Sequence, residues 1–237
     1  MLSISKNISC ISQNIEEANK SCFHENITLV AVSKGQSFDK IITAFDAGII
    51  NFGENYLQEA IDKKLHLKQL AIQWHFLGPI QSNKCKLIAE NFDWVHSVDR
   101  LKIMKLLNDF RPVNAPPLNI CIQINTSGEE TKSGIAINNA QEYLNEFTEI
   151  LKDLPKLKLR GIMSIPSNTE DINQVINEFK SMHMLYVELK KQINPIDTLS
   201  MGMSNDFKLA IEYGSNLVRI GTAIFGAREI KTKRSGN

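Results

Sequence analysis

The sequence predicts a single α/β domain folded as a (β/α)8 barrel, and three observations support this fold class. Short apolar runs alternate with longer segments of helical period, eight times in succession. The apolar runs are rich in β-branched residues, which is typical of parallel strands that are buried on both faces. The chain has 237 residues, and eight strand–helix units over about 250 residues are the usual size of such a barrel.

The eight predicted strands are short, and each is followed by a segment of helical period. They lie at residues 27–33, 49–53, 72–77, 94–98, 118–124, 159–165, 198–201 and 217–220. Pro116 and Pro117 introduce the fifth strand, and Pro166 stops the sixth. Unbroken alternation of strands and helices indicates a parallel sheet, because each helix returns the chain to the same edge.

The predicted helices carry apolar side chains three and four residues apart. One ends at Gly48, two lie at about 56–70 and 82–90, one is capped by Asp99, and the others lie at about 140–151, 172–189 and 206–213. A further amphipathic helix precedes the first strand, at about residues 3–24. We expect this extra helix to pack on the outside of the barrel or to cap one end of it.

No stretch rich in proline, glycine and serine interrupts the series, so residues 1–237 are predicted to form one domain. It consists of the helix at about 3–24, the barrel at about 27–229 and a short basic tail at 230–237. A doubly wound open sheet is the alternative fold. It requires a glycine-rich turn after the first strand, but residues 33–37 read SKGQS, so a dinucleotide site is not expected.

Composition and charge argue against several classes of protein. The formal net charge of +1 disfavours a protein whose main role is to bind nucleic acid. The four cysteines show no spacing typical of a zinc site or a disulfide framework. We find no signal peptide, and no apolar run approaches the ~20 residues that span a bilayer. We therefore expect a reduced, cytoplasmic protein and, since no heptads demand a partner, a monomer.

The candidate chemistry lies at the carboxyl ends of the strands, where β/α barrels place their active groups. Lys34 follows the first strand directly. Desolvation among apolar strands lowers the pKa of a lysine and frees an amine that attacks aldehydes to form Schiff bases. The structural alternative is that Lys34 extends from the barrel rim into solvent.

The loops after the seventh and eighth strands favour a phosphate site. They read SMGMS at 200–204 and RIGTA at 219–223. Glycine lets backbone N–H groups approach a phosphate, and β/α barrels often bind phosphate in these two loops. A Schiff-base lysine with a phosphate cradle describes a pyridoxal 5′-phosphate (PLP) site, and it equally describes an aldolase that acts on a sugar phosphate.

Seven stretches of the sequence resemble the YggS/PROSC family, the pyridoxal phosphate homeostasis proteins. They are AVSK at 31–34, FGENY at 52–56, WHFLGPIQSNK at 74–84, KSG at 132–134, GIM at 161–163, LSMGMS at 199–204 and VRIGTAIFG at 218–226. The resemblance runs in order over residues 27–229. Its one small departure is Leu77, where isoleucine or valine is expected.

The resemblance implies a barrel like the N-terminal domain of alanine racemase, with PLP bound as a Schiff base to Lys34. It implies an arginine, Arg219, near the pyridine nitrogen or the phosphate, where it keeps the nitrogen unprotonated. The implied contacts to the phosphate come from Ser200, Gly221 and Thr222.

The resemblance also implies roles for residues around the ring. Asn55 and Met201 are expected to line it. Ser204 is a further candidate for cofactor binding, or it caps the next helix. Lys132 either handles PLP outside the main site or is a solvated loop lysine.

Whether the protein is an enzyme depends on a second base. Alanine racemase supplies a tyrosine from a separate β domain, and we expect no such domain after the eighth strand here. The tyrosines Tyr56, Tyr143, Tyr186 and Tyr213 all fall on predicted helices, and His75 is predicted to be a packed strand histidine.

We therefore expect a non-catalytic carrier that buffers PLP within the cell. Apo PLP-dependent enzymes are the candidate recipients of the cofactor. A racemase-like PLP enzyme and a cofactor-free class I aldolase-like enzyme are the alternative functions.

Overall fold

A computed structural model describes residues 3–20, 22, 24, 26–129 and 132–227. The predicted basic tail, with Lys231, Lys233 and Arg234, and the last two residues of the predicted barrel lie outside the described residues. No helix among the described residues is long and apolar enough to cross a membrane.

Within the part of the chain that the structure describes, nine strands form one parallel sheet. They are β1 (Thr28–Val32), β2 (Asn51–Glu54), β3 (Gln73–Phe76), β4 (Trp94–Val98), β5 (Leu118–Asn125), β6 (Ile135–Ala136), β7 (Leu157–Ser164), β8 (Thr198–Ser200) and β9 (Leu217–Ile220). Eight of them follow one another around a closed ring, in which β4 pairs with β5 and β1 pairs with β9. The predicted (β/α)8 barrel is thereby confirmed, and the open sheet is wrong.

Helices surround the barrel, one before β1, one after β9 and the others between strands. They are α1 (Ile4–Asn19), α2 (Phe38–Asp46), α3 (Leu57–His66), α4 (Cys85–Asn91), α5 (Leu101–Phe110), α6 (Ala140–Leu151), α7 (Ile172–Gln192), α8 (Phe207–Glu212) and α9 (Thr222–Phe225). Large side chains such as Phe52, Phe147 and Phe179 are fully buried in one continuous apolar core. Burial of this apolar surface holds the helices on the strands.

The extra helix α1 packs on the outside of the barrel, as expected. The hydroxyl of Ser3 caps it by accepting from the backbone N–H of Lys6. Its buried stripe includes Ile8, Ile11 and Ile15, and it lies against α8 and α9. The amide of Asn7 donates to the carbonyl of Ile224 at 2.8 Å, which ties α1 to the segment that follows β9.

Three features of the fold differ from the sequence analysis. Asp99 does not cap α5, because its carboxylate pairs with Arg100, which itself occupies the N-cap position. The strand β6 was not predicted, since two residues carry no periodic signal. Tyr56 and Tyr213 flank α3 and α8 instead of lying within them.

Gly161 allows β7 and β8 to approach each other closely. A Cβ atom at this position would lie 1.7 Å from the carbonyl oxygen of Thr198 on β8. Any side chain therefore forces the two strands apart, and these strands carry residues of the barrel interior.

We predict that Gly161→Ala lowers the free energy of unfolding by about 3 kcal/mol, the upper end of the cost of overpacking. Gly48→Ala is the matched control, because Gly48 has φ +95° with nothing near the added methyl group. The control should lose only about 1 kcal/mol, from left-handed strain. Urea unfolding of both variants gives the comparison, and equal losses would contradict the close approach.

Candidate functional site

A cavity of about 990 Å³ opens at the carboxyl ends of the strands, as the barrel fold predicts. Six of the eight predicted site residues line it: Lys34, Asn55, Ser204, Arg219, Gly221 and Thr222. They come from the ends of β1, β2 and β9 and from the loop after β8. Parallel strands in a closed ring bring these distant segments to one mouth.

Lys34 enters the cavity from the end of β1. The backbone N–H of Ser33 donates to the carbonyl of Gly53 at 2.9 Å, which extends the pairing of β1 and β2 to the residue before Lys34. Successive side chains of a strand point to opposite faces. Lys34 and Val32 therefore share the inner face and line the cavity, while Ser33 points toward the helices.

Arg219 is a buried arginine beneath the cavity. One guanidinium nitrogen donates to Ser200 Oγ at 2.6 Å, and another donates to the carbonyl of Ser164 at 2.8 Å. Burial lowers the pKa of Arg219 to about 10, and the nearby Asp206 opposes that shift. The guanidinium thus stays charged at neutral pH and is held in a fixed orientation.

A chain of hydrogen bonds runs from Arg219 into the barrel interior. His96 Nδ1 lies 3.1 Å from Ser200 Oγ, and His96 Nε2 lies 2.9 Å from His75 Nδ1. His75 Nε2 lies 3.1 Å from Asn51 Oδ1. With the Asn51 oxygen as the terminal acceptor, every link has one donor and one acceptor when both imidazoles are neutral. The prediction that His75 is a packed strand histidine is confirmed.

Asn55 carries an unused acceptor at the cavity. Its Oδ1 is buried and has no hydrogen-bond partner. Its backbone is tightly packed, because a Cβ atom at Gly78 would lie 2.1 Å from the Asn55 carbonyl oxygen. A buried polar atom without a partner is costly, so a ligand hydroxyl or N–H group is the fitting complement.

The loops after β8 and β9 are joined at the cavity. Ser204 Oγ accepts from the backbone N–H of Ala223 at 3.3 Å. The hydroxyl of Ser204 therefore caps α9 and not α8, whose N-cap is Asp206. The expectation that Ser204 caps the next helix along the chain is wrong, and Ser204 lines the cavity.

The charged side chains of the lining favour an anionic ligand. They are the cations Lys34, Lys132, Lys208 and Arg219 and the carboxylates Glu170 and Asp206. Lys132 is held across the mouth, because its ammonium group pairs with Glu129 at 2.7 Å and donates to the carbonyl of Pro166 at 3.3 Å. An excess of positive charge in a concave site attracts phosphate groups.

Two predicted site residues lie outside the lining. Ser200 and Met201 are fully buried, and the Ser200 hydroxyl is engaged with Arg219 and His96. Sequence reasoning also missed the role of His96. Its signal was a strand histidine two residues beyond Trp94, the register partner of His75 on the neighbouring strand, and this relation is visible only once the pairing is known.

The chain is similar in sequence to proteins of known family. The family model of the alanine racemase N-terminal domain matches residues 7–229. The chain is 48% identical over 235 residues to the pyridoxal phosphate homeostasis protein of Vibrio alginolyticus, covering 97% of this chain and 99% of that protein. It is 45% identical over 238 residues to the protein of that name from Escherichia coli K12, covering 98% and 100%.

Solved structures show the same architecture. PipY of Synechococcus elongatus PCC7942 with PLP bound has a TM-score of 0.79 at 30% identity, over 94% of this chain and 100% of that chain. The alanine racemase of Clostridium difficile 630 has a TM-score of 0.70 at 16% identity, over 96% of this chain and 58% of that chain. The second similarity shows the fold alone.

The closed barrel and the family-model match over residues 7–229 define a protein of the alanine racemase N-terminal domain class. Within that class, the chain belongs to the family of pyridoxal phosphate homeostasis proteins. The assignment made from the seven sequence stretches is thereby confirmed.

We predict that His75 and His96 stay neutral between pH 5 and 8. Burial lowers the pKa of His75 to about 3, and burial with the nearby His75 and Arg219 lowers the pKa of His96 well below its usual value. The unfolded chain takes up these protons below about pH 6.5, so stability falls as the pH falls. Between pH 7 and pH 5, each histidine then lowers the free energy of unfolding by about 2 kcal/mol.

Urea unfolding at both pH values measures this loss, and His75→Gln should reduce it because one titrating ring is removed. Nitrogen NMR of the two imidazoles provides the direct check. Ring signals that titrate near pH 6.5 would contradict the neutral chain.

Proposed function

We propose that this protein holds PLP as a Schiff base on Lys34 and takes part in intracellular PLP homeostasis, as a buffer and donor of the cofactor. The observation that carries the proposal is that Lys34 shares one cationic cavity with Arg219 and the Gly221–Thr222 turn. The PLP-bound PipY structure, from a relative of the same fold, supports it.

The residues of the cavity fit the chemical groups of PLP. The unpartnered Asn55 Oδ1 is an acceptor for a donor on the ligand, and the cationic lining complements a phosphate. The backbone at Gly221, with the hydroxyls of Thr222 and Ser204, would hold the phosphate. Asn55 would lie beside the ring. The roles of Ser200 in phosphate binding and of Met201 at the ring stay predictions.

When bound, PLP supplies an aldehyde that condenses with an amine and a pyridine ring that withdraws electrons. Lys34 provides the amine. Arg219 would donate a hydrogen bond at the pyridine nitrogen without releasing a proton, because its pKa of about 10 exceeds that of a pyridine. An unprotonated ring is a weak electron sink, which suits retention of the cofactor better than carbanion chemistry.

A non-catalytic role is consistent with the side chains around the cavity. Among the described residues, the lining contains no tyrosine, histidine or cysteine. Tyr143 and Tyr186 lie on α6 and α7, and the His75 ring is hydrogen-bonded in the barrel interior. We propose a monomeric cytoplasmic carrier, with apo PLP-dependent enzymes as recipients and without nucleic-acid or membrane partners.

Lys34→Ala is expected to abolish the Schiff base, because the variant lacks the amine that bonds to the aldehyde. Wild-type protein with PLP should show a visible absorption band that borohydride reduction converts into a covalent adduct. Lys102→Ala, which removes an exposed lysine of α5, is the control and should retain both signals. A Lys34→Ala protein with an unchanged band would refute the assignment.

The same loaded protein separates a carrier from an enzyme. Incubation with L-alanine in D2O should leave the α-hydrogen in place. Exchange or racemisation would instead support the racemase-like alternative. Cleavage of a sugar phosphate by the cofactor-free protein would support the aldolase-like alternative.

Thr222→Val is expected to weaken PLP binding about tenfold, since a hydrogen bond to a charged group contributes roughly 1.5–3 kcal/mol. Binding of pyridoxal, which lacks the phosphate, should not change. Thr43→Val alters an exposed threonine of α2 outside the cavity and serves as the control. Equal losses for PLP and pyridoxal in Thr222→Val would place the phosphate elsewhere.

A further inference from the structure

A buried ionic cluster lies behind the strand end that carries Lys34. Lys63 on α3 is 2% exposed, and its ammonium group contacts Glu54 Oε1 at 2.7 Å, Glu59 Oε1 at 2.5 Å and the carbonyl oxygen of Ser33 at 2.7 Å. These three acceptors match the three N–H groups of a lysine. We call Lys63, Glu54 and Glu59 the α3 cluster.

The α3 cluster forms hydrogen bonds with the residues on both sides of Lys34. On the preceding side, Ser33 offers its carbonyl to Lys63, and its hydroxyl donates to Glu54 Oε1 at 2.6 Å. On the following side, the backbone N–H of Gly35 donates to Glu59 Oε1 at 2.6 Å. Main-chain rotation at Lys34 is therefore restrained from two directions.

The geometry separates this restraint from the cavity itself. Ser33 and Glu54 point toward α3, whereas the alternate residues Lys34 and Asn55 line the cavity. No member of the α3 cluster is among the lining residues. The cluster therefore holds the backbone beside Lys34 without contributing a side chain to the cavity.

Global stability is a weak reason for this arrangement. Moving a lysine and a carboxylate out of water is costly, and a well-packed apolar pair of similar volume is often as stable. Burial raises the pKa of Glu54, against the opposing effect of Lys63, which shows how strongly the site desolvates charge. In some proteins such clusters are retained because they define one geometry.

We infer that Lys63 and Glu59 are positioning residues for Lys34, which hold its backbone so that the amine meets the aldehyde of PLP. The inference rests on the proposed function. Formation of the Schiff base requires a correctly positioned amine on Lys34. Binding of the phosphate and the ring does not require that amine.

Lys63→Met is the first test, with PLP and pyridoxine 5′-phosphate as the two probes. Pyridoxine 5′-phosphate keeps the phosphate and the ring but has an alcohol in place of the aldehyde. The variant should bind PLP at least about tenfold more weakly and bind pyridoxine 5′-phosphate within twofold of wild type. Lys64→Met is the matched control, since Lys64 lies next on α3 but contacts the carbonyl of Asn91, and it should bind both probes as wild type does.

Glu59 provides a second variant that tolerates substitution, because its side chain is 30% exposed. Glu59→Ala frees the N–H of Gly35 and should weaken PLP binding selectively, by a smaller factor than Lys63→Met. Glu59→Gln keeps an acceptor for that N–H and should restore most of the loss. If Lys63→Met fails to fold, the comparison of Glu59→Ala with Glu59→Gln still tests the positioning role.

Two results would overturn the inference. Parallel losses for both probes would show that the cluster only maintains the general shape of the cavity, and unchanged PLP binding in Lys63→Met and Glu59→Ala would show no role. A wild-type protein that binds pyridoxine 5′-phosphate but forms no Schiff base with PLP would instead refute the proposed function.

Discussion

The pairing of β1 with β9 closes the barrel, and the candidate site depends on that closure. Thr28 to Ala31 pair with Leu217 to Ile220 in register. The chain continues from β1 into Lys34 and from β9 into the Gly221 turn. The two ends meet closely, because a Cβ atom at Gly221 would lie 3.1 Å from the carbonyl oxygen of Val32. A lysine near the start of the barrel and a phosphate-type loop near its end thus become neighbours.

The polar interior shapes the site from below. Arg219, Ser200, His96 and His75 are buried, and each would be costly without partners. They form a continuous chain in which each donor meets an acceptor, so the cost of desolvation is offset by hydrogen bonds. The consequence for function is a fixed guanidinium that stays charged in a cavity accessible to an anion.

The fold was predictable because its signals are local. Each strand is a short apolar run, and each helix has one apolar stripe, so the count of eight units follows from composition along the chain. Lys34, Gly221 and Thr222 were found in the same way, as polar or glycine residues that end apolar strands. Barrel closure then needed only the general rule that such units form a parallel ring.

What the sequence did not reveal depends on contacts between distant residues. The hydrogen bonds of the Ser200 hydroxyl with Arg219 and His96 are one such set of contacts. Lys63 follows Glu59 by four residues, a spacing typical of exposed ion pairs on helices. Its burial against β1 and β2 arises from packing that no local pattern encodes. Asp99 failed as a predicted cap because the adjacent Arg100 takes its carboxylate.

The most direct test of the account is to identify which lysine bonds to PLP. Wild-type protein would be loaded with PLP, reduced with borohydride, digested and mapped by mass spectrometry. We predict a reduced PLP adduct on the peptide that contains Lys34. An adduct confined to Lys132 or Lys208, with Lys34 unmodified, would contradict it and move the covalent site to the rim of the cavity.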